Sequence, residues 1–290
     1  MANPRADFVP IVDRPLLHLP GGARVAVLLV VNVEQKELDE PMGSPLSQLP
    51  PGSAQLPEVP AFSRFEYGLR AGFWRMLRET DRLGIRPTMA LNASVLDGYE
   101  RVVQAGVESG WDIVGHGYYQ RPLPAVEDER ATIRRTLDAI EAATGKRPRG
   151  WLGPGMSETF ETPDILAEEG VSFVMDWLND DQPYPLKVSS GSLLSVPYTN
   201  ELNDIGVYIR QGSAGPELPR RVADHLDTLM HDEPETARIL PIGTHPFIMG
   251  QPHRFPYFVR MLESLKSTPG VVFMTATEIY EWYLGQVGAV

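Results

Sequence analysis

Residues 24–34 read RVAVLLVVNVE, a continuously apolar run rich in β-branched side chains. A strand with one wet face alternates apolar and polar residues. An unbroken apolar run is instead a strand buried on both faces, as in a parallel sheet. The run ends in Asn32, Glu34 and Gln35, polar groups at a strand's C-terminal end, where chemistry collects in parallel α/β folds. The same unit recurs downstream. Phe65, Leu69, Phe73 and Leu77 have helical spacing within 64–83, Gly84 caps that helix, and a strand is expected at 86–92. Helix 95–109 precedes strand 111–115, and helix 126–144 precedes strand 149–152. A helix opening at Thr162 and Pro163 precedes strand 171–175. An antiparallel excursion is expected over 193–199 and 205–211, followed by helix 219–231, strand 238–243, helix 255–267 and strand 271–274. This alternation, with no linker, repeat or composition break, predicts one α/β domain over 1–290. Polar clusters follow five of the strands, which favours a barrel with one active rim over a doubly wound sheet.

Composition narrows the chemistry. The 290 residues contain no cysteine, which excludes disulfide scaffolds, thiolate zinc sites, iron–sulfur clusters and a cysteine nucleophile. The formal net charge of −12 argues against nucleic-acid or anionic-membrane partners, which call for a basic footprint. No apolar run approaches the ~20 residues of a membrane span, and the opening MANPRADFVPIVDRP has no signal-peptide core, so a cytoplasmic protein is expected. Residues 41–60 carry six prolines without periodicity, too long for a simple connection, and are read as a functional loop or an oligomer contact. No GxSxG nucleophile elbow and no phosphate-cradling glycine loop is found.

Five segments together resemble a known family. VNVEQ (31–35), GHGYYQ (115–120), RPRGWLGPG (147–155), FVMDWLNDDQPY (173–184) and LPIGTHPFIMGQPHR (240–254) look like the ordered motifs of the polysaccharide deacetylase family, the NodB-homology carbohydrate esterase 4 group. NDDQPY and the late HPxxxGxxxR resemble its branch of metal-independent allantoinases and intracellular peptidoglycan-deacetylase-like proteins. The resemblance spans about residues 24–280 and implies an irregular (β/α)7 barrel. It also implies self-association, such as a tetramer, for which the 41–60 stretch and Trp282–Tyr283 are candidate contacts.

Departures from the family pattern decide the expected mechanism. Metal-dependent members are expected to close the first strand with two aspartates and to supply two ligand histidines from the second motif. Here those positions hold Glu34–Gln35 and His116 with Gln120, and Leu152 replaces the third-motif arginine. Amide oxygens are poor zinc ligands, and catalytic zinc normally keeps three protein ligands. The expectation is therefore no cofactor, with at most weak divalent-metal binding at His116. Glu34 is the candidate base, its carboxyl raised towards neutrality by burial, and His245 the candidate acid. His116, Gln35 and Gln120 are candidates for substrate or carbonyl hydrogen bonding. Asp176, Trp177, Asp180 and Asp181 are expected at the rim or behind His245, Trp151 as a pocket wall, and Arg254 on an anionic or ureido group. The expected activity is hydrolysis of a non-peptide carbon–nitrogen bond in a small, allantoin-like amide or ureide. The alternatives are a metal-dependent polysaccharide or peptidoglycan N-deacetylase and a non-catalytic small-molecule-binding relative.

Overall fold

The computed structural model describes residues 3–39 and 57–288. The proline-rich 41–60 stretch lies outside the described residues except for its last four positions. In chain order the elements are β1 (Val25–Val33), α1 (Val59–Tyr67), α2 (Phe73–Leu83), β2 (Thr88–Leu91), α3 (Glu100–Glu108), β3 (Asp112–Gly115), α4 (Glu129–Thr144), β4 (Gly150–Trp151), α5 (Thr162–Glu168), β5 (Phe173–Val174), β6 (Tyr184–Leu186), β7 (Leu193–Ser195), α6 (Glu217–His231), β8 (Arg238–Thr244), α7 (Phe255–Ser267), β9 (Val271–Phe273) and α8 (Ala276–Val287).

One curled sheet runs in the order β6-β7-β5-β4-β3-β2-β1-β8, with β9 paired to β1. Every pairing is parallel except β6 with β7. The architecture is the α/β, NodB-type curled barrel that the motif order implies. Its open seam lies between β8 and β6. There the Ile239 N–H donates to Asp181 O at 2.9 Å and Gln182 Nε2 to Ala237 O at 2.8 Å.

β1 is buried at all nine positions, for the reason its unbroken apolar run suggests. Val25, Val27, Leu29, Val31 and Val33 face the helices, among Phe73, Met76 and Phe258. Ala26, Leu28 and Val30 face the barrel interior, with Val114, Leu152, Phe173 and Met175. This two-residue alternation sets the functional site, because it decides which residues past the strand ends point inward.

Two segments differ from expectation. Residues 205–211 are not a strand: Ile205–Arg210 is a wide helical turn. Asn203 Oδ1 accepts from Ile205 N at 3.0 Å, so a side chain takes a donor that a strand would offer to a neighbour. The antiparallel pair is β6 with β7 instead. Trp282 and Tyr283 sit in α8, started by a reciprocal Thr275–Glu278 capping box. α8 closes the N-terminal mouth of the barrel. Its first residues bond to Thr88 and Asp112 at the starts of β2 and β3, and Tyr280 stacks on Phe173 with centroids 5.5 Å apart. Trp282 Nε1 donates to His18 O at 2.8 Å.

The expected helix 64–83 is α1 and α2 joined through a wide turn, Gly68–Gly72. The glycines are there for closeness, not for backbone freedom. A Cβ on Gly72 would stand 2.0 Å from Pro246 O, and one on Gly68 2.8 Å from Phe247 N. This turn therefore lies directly against the chain just after His245. We expect Gly72→Ala to push the 245–250 turn outward, costing about 1–3 kcal/mol of stability, as overpacking typically does, and lowering turnover as well. Urea denaturation checks the first, and intact turnover in a destabilised variant would show that the turn does not govern His245.

Candidate active site

The inward register of the strands continues past their ends. After Ala26, Leu28, Val30 and Asn32 comes Glu34; after Val114 comes His116; after Gly243 comes His245. All three side chains are buried. Glu34 Oε1 lies 3.3 Å from His116 Nε2 and 3.4 Å from His245 Nε2, so one carboxyl oxygen faces both imidazoles. Behind His245 stands Asp204, fully buried. Its Oδ1 accepts from His245 Nδ1 at 2.6 Å and its Oδ2 from the His245 backbone N–H at 2.7 Å. This two-point clamp sets the ring orientation and holds a proton on Nδ1, so Nε2 faces Glu34. Behind His116, Nδ1 donates to Leu152 O at 2.5 Å. At Gly243 a Cβ would stand 2.5 Å from the Tyr198 hydroxyl, so the bare backbone makes room for Tyr198, which accepts from Asn32 Nδ2 at 3.1 Å.

Glu34, His116, His245, Gln120, Asn203 and Arg210 line a cavity of about 50 Å³. One water needs roughly 10–15 Å³ by this measure. The space therefore takes a few waters or one acyl or ureido group.

The electrostatics reverse one expectation. Burial does push the Glu34 carboxyl up, but the charge of His245 and the bonds from both histidines outweigh it and hold Glu34 down at about 2. It is not raised towards neutrality; a buried carboxylate beside a cation is favoured in its charged form. Burial likewise pushes the His245 ring down, yet Asp204 and Glu34 on either side lift it to about 10. At neutral pH the site holds a Glu34 carboxylate facing a His245 imidazolium.

The other candidate residues divide. Gln120 lines the cavity, its Oε1 accepting from Asn92 Nδ2 at 3.2 Å. Gln35 turns away, its Oε1 accepting from Lys36 N at 2.9 Å. Trp151 is no pocket wall. It lies on the outer side of the sheet, wholly buried among Ile133, Leu137 and Leu166, with half-buried Trp177 against the same cluster. Asp180 pairs with Arg14 at 2.5 Å, and Asp181 lies 3.8 Å from Arg238, both along the barrel seam. Neither touches His245; Asp204 does. Asp176 instead accepts from Gly153 N at 2.7 Å. The Arg254 guanidinium stacks 5.0 Å from the Tyr208 ring centroid rather than lining the cavity.

Asp204 and Arg210 were not foreseen. The one local signal for Asp204 is the Asn-Asp pair before an apolar run, which reads as a helix start and says nothing of His245.

The donor set fits a catalytic metal poorly. Among the described residues no group of three or more His, Cys, Asp or Glu side chains is placed to hold one. Gln35 and Gln120 are already engaged, and Glu34 Oε1 is taken by two imidazole nitrogens.

Comparison with known proteins agrees with this geometry. The polysaccharide deacetylase family model matches residues 55–174. A polysaccharide deacetylase-like protein of Schizosaccharomyces pombe is 29% identical, with 90% of each chain covered. The crystal structure of a probable polysaccharide deacetylase from Pseudomonas aeruginosa PAO1 superposes with a TM-score of 0.87 at 26% identity, over 96% of this chain and 97% of that one. PuuE allantoinase superposes with a TM-score of 0.86 at 25% identity, over 98% of this chain and 100% of that one. Motifs, barrel and strand-end site agree with these matches: residues 55–174 match the polysaccharide deacetylase family model, and nearly the whole chain is similar to proteins of that NodB-homology, carbohydrate esterase 4 group.

Proposed function

We propose that this protein hydrolyses a non-peptide carbon–nitrogen bond in a small amide or ureide, without a metal ion. The observation that carries this reading is the Glu34 carboxylate held between His116 and His245, with Asp204 clamped behind His245. Such hydrolysis needs a base for water, an acid for the leaving nitrogen and donors for the carbonyl oxygen. Glu34 is the base. His245, already protonated at neutral pH, is the acid. The His116 ring and the amides of Gln120 and Asn203 border the space where the oxygen gathers charge. The likeness to PuuE allantoinase supports a ureide over a sugar amide, as does a cavity of about 50 Å³.

In the reaction, water oxygen bonds to the carbonyl carbon and a water proton goes to Glu34. The carbon–nitrogen bond breaks as His245 gives its proton to the departing nitrogen, yielding an acid and an amine or ureido product. The proton on Glu34 then passes to His245 and restores the starting pair. A carboxyl held at about 2 is a weak base while His245 stays charged. As His245 gives up its proton that hold is lost, and burial then favours the protonated carboxyl. The two transfers assist each other, as coupled sites do.

The test is a screen of ureides and cyclic amides before and after exhaustive chelation, beside elemental analysis of the purified protein. Turnover unchanged by chelation is the expected result. Activity restored only by zinc or cobalt, or acetate release from acetylated chito-oligomers in place of ureide hydrolysis, would overturn it in favour of a metal-dependent N-deacetylase.

A further inference from the structure

A second pair of carboxyls lies behind the site. Asp176 Oδ2 and Glu158 Oε1 are both buried with no hydrogen-bond partner among the described residues, and the two carboxyls are near enough to act on each other's charge. Two desolvated carboxyls this close cannot both ionise, so they share a proton. The charged groups facing the pair are Glu129, which accepts from Thr159 Oγ1 at 2.6 Å, and Arg5, which is paired with Asp164 at 2.7 Å. Burial pushes both carboxyls up, Glu158 to about 7.

The pair is linked to the active cavity by one peptide unit. Asp176 Oδ1 accepts from the N–H of Gly153 at 2.7 Å, and the carbonyl of that same peptide, Leu152 O, accepts from His116 Nδ1 at 2.5 Å. Only glycine permits this approach: a Cβ on residue 153 would stand 2.8 Å from Asp176 Oδ2 and 2.7 Å from Ser157 O. An amide hydrogen-bonded at both ends is polarised along its length, so a carboxylate on the N–H strengthens the carbonyl as an acceptor. A stronger acceptor holds Nδ1–H in place and leaves Nε2 turned to Glu34.

We propose that Asp176 is a positioning residue that fixes the ring of His116 and its Nδ1–H through the Leu152–Gly153 peptide, and that Glu158 sets the strength of this hold by sharing a proton with Asp176. The cost in rate follows from the reading of the site given above, whereas the hold on His116 does not depend on it. Asp176 thus acts on His116 and not, as its motif suggests, at the rim or on His245.

The test is nitrogen-15 and proton NMR of the histidine rings in the wild type, Asp176→Asn and Glu158→Gln, beside a pH–rate profile. Asp176→Asn keeps an oxygen for Gly153 but removes the charge. The His116 Nδ1 proton is expected to move upfield, and kcat to fall about 10-fold with KM changed less, typical for partners behind an active-site histidine. Glu158→Gln gives Asp176 a donor in place of a shared proton, so any step in the His116 resonance near pH 7 should vanish. An unmoved Nδ1 resonance in Asp176→Asn, or a persisting step in Glu158→Gln, overturns the proposal. If the first variant does not fold, the second still decides. The NMR signature needs no turnover, so a failed ureide screen would overturn the proposed reaction and leave this inference standing.

Discussion

Glu34→Gln is expected to reduce turnover by about 10²–10⁴-fold, the range attached to a general base, while the chain still folds. Gln is nearly isosteric, and its amide can bond to the His116 and His245 rings 3.3 and 3.4 Å away. What it cannot do is accept a proton from water. A stability signature should accompany the loss. A carboxyl depressed to about 2 in the folded state stabilises the fold above its ordinary value of 4.5, and that contribution is lost as pH falls through about 2. Wild type should therefore be the more stable protein at neutral pH, with the gap to Glu34→Gln closing in acid. Denaturant titrations across that window, with kcat at each pH, test both halves. Near-wild-type rates would remove Glu34 from the chemistry.

The second large effect concerns His245, where the geometry changes which variant is informative. His245→Ala would leave Asp204 and Glu34 as two buried carboxylates with no cation between them. Stripping one partner from a buried pair typically costs about 3–5 kcal/mol, so a dead alanine variant would confuse lost chemistry with lost structure. His245→Gln keeps a donor for Asp204 and removes the acid. Its kcat should fall about 10²–10⁴-fold, with a smaller loss of stability in urea. The wild-type rate should show a basic limb near pH 10, where His245 loses its proton. Because the Asp204 carboxylate raises the ring, Asp204→Asn should move that limb to lower pH. A basic limb unmoved by Asp204→Asn would show that His245 is not the acid described here.

Much of this is written in strand patterning. The unbroken apolar run of β1 declares a strand buried on both faces, and the period of two then fixes which residues point inward beyond its end. Glu34, His116 and His245 each continue an inward register, so their convergence follows from strand order and the ordered motifs. Helix boundaries followed where caps and glycines mark them. Ile205–Arg210 did not, because its alternating pattern resembles a strand and only side-chain capping by Asn203 makes it turn. α8 was legible in principle, since Thr275 and Glu278 form a capping box, but its role as the barrel floor depends on Thr88, Asp112 and Phe173 from distant strands.

The sequence by itself determined the fold class, the rim that carries the site and the three side chains at its centre, because alternation and motif order are local properties of the chain. The tertiary structure alone decided the partners and the charge states. Asp204 reaches His245 from 41 residues away and displaces Asp180 and Asp181 from that role. Trp151 continues a strand with the wrong parity for the interior, so it faces the helices. Glu34 is depressed rather than raised, because desolvation and neighbouring charge act in opposite directions and their balance depends on distances of 3–4 Å between residues far apart in the chain.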